Sequence, residues 1–260
     1  MLGMGEKVTA GAALPAGVKS SERTLDVLEL LAQSPEPLTM TEISRRLSVP
    51  KSSLHKLLGT LERRGWVQTD ELTHTRYRVG LRALRAGTSF VDADEVVRLT
   101  DPILTALSGQ FEEATHLGRL DGAEVVYLAK RESTHPLRMF SAVGRRLPAH
   151  ATAMGKAMLA TMDAAEIESL LGTDLAVLTQ RTIRSLEELH EDLALTRERG
   201  YGIDDEESAD MMRAVAVSLP VDGTHNAISL SAPSARLPRE MLPDVASAIT
   251  AAIDRVVPAP

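Results

Sequence analysis

From residue 20 to residue 79 the spacing of apolar positions changes repeatedly, and each change marks a new element. In SSERTLDVLELLAQSPEP, Leu25, Leu28, Leu31 and Ala32 recur at helical spacing. Ser20 or Ser21 is placed to cap that helix, and Pro35 and Pro37 to stop it. TMTEISRRLSV sets Ile43 and Leu47 four apart behind a capping threonine, which predicts a short second helix and a turn over residues 48–50. VPKSSLHKLLGTLERRGW places Leu54, Leu57, Leu58 and Leu61 at i, i+3, i+4 and i+7, with Gly65 as the C-terminal cap of a third helix. The period then falls to two. Trp66 and Val67 open a strand, TDELTH turns, and TRYRVG returns with Tyr77 and Val79 on one face and Arg76 and Arg78 on the other. Three helices followed by a hairpin is the order of a winged helix-turn-helix.

Beyond it, LRALRAGTSFVDADEVV is helical in tendency but carries Gly87, so the linker helix expected over 83–100 need not be continuous. ILTALSGQF, after Pro102, is helical, and ATHLGRL and EVVYLAK flank Asp121-Gly122, a two-residue hairpin signal. TAMGKAMLATM is helical, and Ser185 with Glu188 forms a capping box for a helix ending before Gly200. RAVAVSLPV and AISLS are strands about a second Asp-Gly turn, and PREMLPDVASAITAAIDRVV is an amphipathic closing helix. Antiparallel strands with helices grouped around them indicate an α+β domain, not a doubly wound sheet. The expected division is a flexible tail over 1–18, a winged helix over 19–82, the linker over 83–100 and the α+β domain over 101–258.

At 260 residues and 43% hydrophobic composition the chain can fill two cores. It has no cysteine, which excludes disulfides and thiolate metal sites. No apolar run of about 18 residues occurs and the first residues do not read as a signal peptide, so a cytoplasmic protein without a membrane segment is expected. The net charge of −7 disfavours a nucleic-acid partner until it is divided: residues 19–85 carry +4 and residues 86–260 carry −11.

On the third helix, Ser52, Lys56, Gly59 and Arg63 lie opposite the leucines, with Ser53, His55 and Thr60 on the flanks. In a helix-turn-helix the second helix enters the major groove by its N-terminal end. Short hydroxyls there permit close approach, and Lys or His reaches phosphates or base edges. The candidate DNA-facing set is Thr41, Ser52, Ser53, His55, Lys56, Thr60 and, on the wing, Arg76. Ser229 and Ser231 alternate with Ile228 and Leu230, so both hydroxyls share one face of a strand, open either to solvent or to a pocket. The helix start near Ala153 to Gly155 reads either as a seat for a carboxylate or as an ordinary capped helix. DDEESAD offers carboxylates to a hard cation, but adjacent acids alternate sides in a strand. His116, His135, His150, His190 and His225 are scattered, so neither metal nor cofactor is expected. No Gly-x-Ser-x-Gly, Walker, His-Glu-x-x-His or Gly-x-Gly-x-x-Gly motif is present. An enzyme acting on a small organic acid behind an N-terminal interaction domain is the alternative to a DNA-binding regulator.

The chain resembles the IclR family of bacterial transcriptional regulators over residues 19–257. The resemblance runs through ERTLDVLELLA, LTMTEISRRLSVPKSSLHKLLGTLERRGWV and YRVG, then GRRLPAHATAMGKAMLA, TIRSLEELHEDLALTRERGYGIDDEE, VAVSLP and AISLSAPSARL. It implies a winged helix, a linker helix and a GAF-like effector domain, working as a homodimer or homotetramer. The implied function is repression through a palindromic double-stranded DNA operator, without catalysis or cofactor. Position by position it implies an effector pocket lined by Met139, Leu147, Ala153, Met154, Asp204, Ala214, Ser229 and Ser231. That set has no Lys or Arg and suits a small organic or aromatic acid. Two departures, Ala214 where many members have Cys and Met211 where Gly usually follows the acidic run, imply a pocket floor of altered size and polarity.

Overall fold

The computed structural model describes residues 18–70, 75–136, 142–221 and 223–256. The chain forms two compact units, residues 1–89 and 90–260.

In the first unit, α1 (Lys19–Gln33), β1 (Leu38–Thr39), α2 (Met40–Leu47), α3 (Lys51–Arg63), β2 (Val67–Thr69) and β3 (Arg76–Val79) follow in order. The strands pair antiparallel as β1-β3-β2, with Val67 opposite Val79 and Leu38 opposite Tyr77. Thr39 caps α2 through a capping box with Glu42. Val27, Leu31, Ile43, Leu54, Leu58, Leu61 and Val67 close one core. Three expectations change. The buried stripe of α1 centres on Val27 and Leu31, whereas Leu25 and Ala32 are exposed, because TLDVLELLA is apolar around most of the helix. The cap of α1 is Val18, with no side-chain hydrogen bond, and neither Ser20 nor Ser21. A third strand, β1, joins the wing.

The linker is two helices, α4 (Leu81–Ala93) and α5 (Glu95–Phe111), divided at Asp94. Asp94 accepts the Val96 and Val97 amides as N-cap of α5 and takes a two-pronged grip from Arg119, whose Nε donates to Asn226. Partial burial pushes this carboxyl up, but Arg119 and the amides hold it below its ordinary range. Pro102 does not delimit the helix as expected. It sits on the exposed side of α5 while Ile103, Leu104 and Leu107 are buried, and that burial outweighs one lost amide donor.

The second unit continues with β4 (Ala114–Asp121), β5 (Glu124–Arg131), β6 (Arg146–Pro148), α6 (Ala153–Leu159), α7 (Ala164–Leu171), α8 (Leu186–Arg199), β7 (Gly202–Asp205), β8 (Met212–Leu219), β9 (Asn226–Pro233) and α9 (Leu242–Asp254). Its six strands are antiparallel in the order β6-β5-β4-β9-β8-β7. Alternation sorts each strand between two cores. In β8 and β9, Val215, Val217, Ile228 and Leu230 pack with Ile103, Leu107, Val245 and Ile249 of α5 and α9. Ala214, Ala216 and Ala227 point the other way, toward Met154, Ala157, Ile167, Leu189 and Leu193 of α6, α7 and α8. The small side chains let α6 lie close to the sheet. A Cβ on Gly155 would stand 2.0 Å from the Ala149 carbonyl oxygen, and one on Gly202 would stand 2.3 Å from that of Ala153. Ser185 accepts the Glu188 amide, but the Glu188 carboxylate takes the Arg184 amide, so the expected capping box is half formed. No described helix is long and apolar enough to cross a membrane.

Candidate functional site

Burial of Leu54, Leu58 and Leu61 fixes how α3 is turned about its axis. Ser52, His55, Lys56 and Thr60 are therefore exposed together, with Ser53 half-buried at their edge. Pro50 supplies no side-chain cap, and its carbonyl takes only the Ser53 and Leu54 amides, so the first turn of α3 keeps a partial positive charge beside Ser52. Thr41 is exposed on α2. The guanidinium of Arg76 donates to the Pro37 carbonyl at 3.1 Å, anchoring it at the base of the wing. The wing tip, residues 71–74, is outside the described residues.

In the second unit, the α6 side of the sheet encloses a cavity of about 60 Å³. Leu147, Ala153, Met154, Asp204, Ala214, Ser229 and Ser231 all line it. Met139 lies outside the described residues. Register explains the gathering: Ser229 sits between His116 and Ala216, and Ser231 between Ala114 and Ala214, so alternate residues of three neighbouring strands share one face. The sequence reading missed His116, Tyr127, Arg145, Thr152, Ser208 and Met212, which also line the cavity. Arg145 overturns the expectation of a lining without Lys or Arg. Met211 is exposed and outside the lining, so its departure from the family pattern leaves the floor unchanged.

Two polar groups are more committed than their types suggest. Thr152 accepts the Gly155 amide at 3.0 Å, so the start of α6 is an ordinary capped turn at that position. Asp204 accepts the Glu207 and Ser208 amides at 2.9 and 3.2 Å and the Ser208 hydroxyl, so its carboxylate shapes its own loop. Burial raises its pKa despite these donors. His116 is also buried, edge-on to Tyr127 with ring centroids 5.2 Å apart. Burial, helped by the charge of Lys130, lowers its pKa to about 4, so the ring is neutral at pH 7. Burial and the nearby Asp204 push the Tyr127 phenol up to about 12, leaving it a neutral hydroxyl.

Behind the pocket, Lys156 of α6 is 1% exposed, with its ammonium 2.6 Å from Glu207 and 3.2 Å from Asp192. Burial raises the Glu207 carboxyl even against this ammonium. The Glu207 carbonyl accepts the Thr182 hydroxyl at 2.7 Å, so one buried ion ties α6, α8 and the loop after β7 together. Among the described residues no cluster of His, Asp and Glu could hold a metal.

Comparison with known proteins bears on both units. Residues 20–71 match the profile of the IclR helix-turn-helix domain, and residues 88–257 that of the bacterial transcriptional regulator IclR C-terminal domain. The HTH-type transcriptional regulator XynR of Escherichia coli (strain K12) is 38% identical over 201 residues, 77% of this chain and 79% of that one. The transcriptional repressor IclR of the same organism is 34% identical over 226 residues, 85% and 82% of the two chains. The crystal structure of an IclR transcriptional regulator from Alicyclobacillus acidocaldarius superposes with a TM-score of 0.80 at 25% identity, covering 92% of this chain and 98% of that one. Profiles that together span both units, and relatives matched over most of their own length, place the chain in the IclR family, whose members are DNA-binding transcriptional regulators and not enzymes.

Proposed function

We propose that this chain is a homo-oligomeric, cytoplasmic repressor that binds a palindromic operator through α3 and the wing and answers to a small carboxylate-bearing metabolite. The observation that carries the reading is the exposed row of Ser52, His55, Lys56 and Thr60 opposite the buried leucines of α3. Residues 19–82 serve as the reader, 83–100 as the linker and 101–258 as the sensor, with Thr41, Ser53 and Arg76 completing the DNA-facing set. One winged helix reads too few base pairs for selectivity, so two copies are required. Exposed Leu81, Leu84 and Phe90, on a helix with no buried residue, support α4 as the meeting surface.

The pocket supports a ligand bearing one negative charge, met by Arg145 and by the hydroxyls of Ser229 and Ser231, with Met154 and Leu147 against its apolar part. A cavity of about 60 Å³ has room for about two waters, so an aromatic acid enters only as Met154 and Met212 turn aside. The test is DNA affinity with and without a panel of small monocarboxylates. Ser52→Ala, Ser53→Ala and Lys56→Ala should each weaken operator binding about 5- to 10-fold with the fold intact. The double change Ser229→Ala with Ser231→Ala should abolish the metabolite response and leave apo binding unaltered. Unchanged affinity in all three α3 variants defeats the DNA-facing assignment, and an undiminished response in the double variant defeats the pocket assignment.

A further inference from the structure

We infer that the first turns of α1 belong to the DNA-contact surface, with Arg23 and Ser20 holding a backbone phosphate beside α3. The inference rests on the DNA-facing reading of α3 and extends it to a second helix. Ser20, Arg23 and Thr24 of α1 form one bank of a surface groove whose other bank is Ser53, Lys56 and Thr60 of α3. Leu57 and Leu61 make its floor. Three of the α3 residues expected to meet DNA thus share a single concavity with a part of α1 that sequence reasoning treated only as scaffold.

The chemistry of the groove selects its occupant. Its lining contains two cations and no carboxylate. The Thr24 hydroxyl donates to the Ser20 carbonyl at 2.8 Å and the Thr60 hydroxyl to the Lys56 carbonyl at 2.9 Å, so both threonines spend their hydrogens inside their own helices. The donors left facing the groove are the hydroxyls of Ser20 and Ser53, the guanidinium of Arg23 and the ammonium of Lys56. Two cations and two hydroxyls able to donate, with no carboxylate, above an aliphatic floor match a sugar-phosphate strand: phosphate oxygens accept, and the deoxyribose lies on Leu57 and Leu61. Arg23 is half-buried and lines the groove, so its guanidinium reaches the strand from a partly shielded stem. Lys56 and Thr60 belong both to the groove and to the exposed face of α3, so a strand bordering the major groove runs along it.

The operator need not be known to test this, because phosphate contacts are read from the salt dependence of binding to any duplex. Full-length protein is titrated into a labelled random-sequence 30-base-pair duplex by fluorescence anisotropy over a range of salt. Arg23→Gln should reduce the magnitude of the log K against log salt slope by about 1 per chain bound, and Arg23→Lys should keep it. Ser20→Ala should weaken binding about 5-fold with no change of slope, because it removes a neutral donor. Arg85→Gln, which takes one charge from the same compact unit outside the groove, should leave the slope as it was. Circular dichroism of each variant confirms folding, and Ser20→Ala carries the test should Arg23→Gln be unstable, with unchanged affinity in that variant overturning the α1 assignment. An unchanged slope in Arg23→Gln, or an equal fall in Arg85→Gln, overturns the α1 assignment alone. Wild-type protein that shows no salt-dependent duplex binding overturns the reading of α3 as well.

Discussion

The imidazole of His116 takes up its proton near pH 6.5 in the unfolded chain and only near 4 in the native one, because burial disfavours the charged ring. Between those values the native state binds fewer protons. The stability contributed by the neutral ring is complete above pH 6.5 and is lost as pH falls toward 4, a difference of about 3 kcal/mol. Urea unfolding at pH 7 and pH 4.5 should therefore show a larger loss for wild type than for His116→Gln; equal losses would show that acid sensitivity lies elsewhere. Lys156 makes the opposite demand, for a charge that must stay. Lys156→Met leaves the buried Glu207 without its cation, while half-buried Asp192 keeps only the more distant Arg199, and should cost about 3 to 5 kcal/mol in urea unfolding, part of it recovered by adding Glu207→Gln. Neither residue was legible in the sequence as more than a polar side chain. Lys156 sits in GKAML, where a lone lysine in a short helix reads as solvent-facing, and its partner Glu207 is 51 residues away. Ser229 and Ser231 were legible, since strand period alone puts both hydroxyls on one face, but whether that face met water or a cavity depended on α6 lying over it.

Among the elements, α2, α3, the wing strands and the hairpin at Asp121-Gly122 could be read directly, because turn chemistry and apolar period agreed there. The failures came where two cues competed. In α1 two overlapping apolar stripes were available, and tertiary packing chose the one through Val27. In α5 a proline suggested a boundary, but its exposed position left the buried side intact. The strands β1, β6 and β7 have two, three and four residues, as short as the wing strands, but no two-residue turn joins any of them to a neighbouring strand to mark it as part of a hairpin. Met211 bears on the turn between β7 and β8: it is 73% exposed with φ +58°, a conformation that favours glycine. A glycine there fits that backbone without strain. Met211→Gly should stabilise the protein by about 0.5 to 1 kcal/mol, seen as a rise in Tm of a few degrees with the pocket response unchanged.

At the scale of the whole molecule, the +4 of residues 19–85 and the −11 of the remainder divide electrostatic labour between reader and sensor. Assembly adds the next constraint. Leu81, Leu84 and Phe90 are 75%, 61% and 53% exposed, and Leu84→Glu should convert the proposed oligomer to smaller species in sedimentation velocity and weaken operator binding by at least 10-fold; an unaltered mass would move the proposed interface away from α4. The two units also differ in how far along the chain their contacts reach. The first closes between residues 19 and 80, whereas the centre of the six-stranded sheet joins β4 to β9, with Ala114 opposite Ser231. On the ribosome the roughly 150 residues from the end of the first unit's contacts to Ser231 take about 8 to 30 s to synthesise, while a small unit of local contacts folds in milliseconds. For that interval each new chain presents a folded DNA-binding unit before its second unit exists, and the emergence of β9 is the moment at which the proposed pocket closes and the nascent regulator can first be restrained.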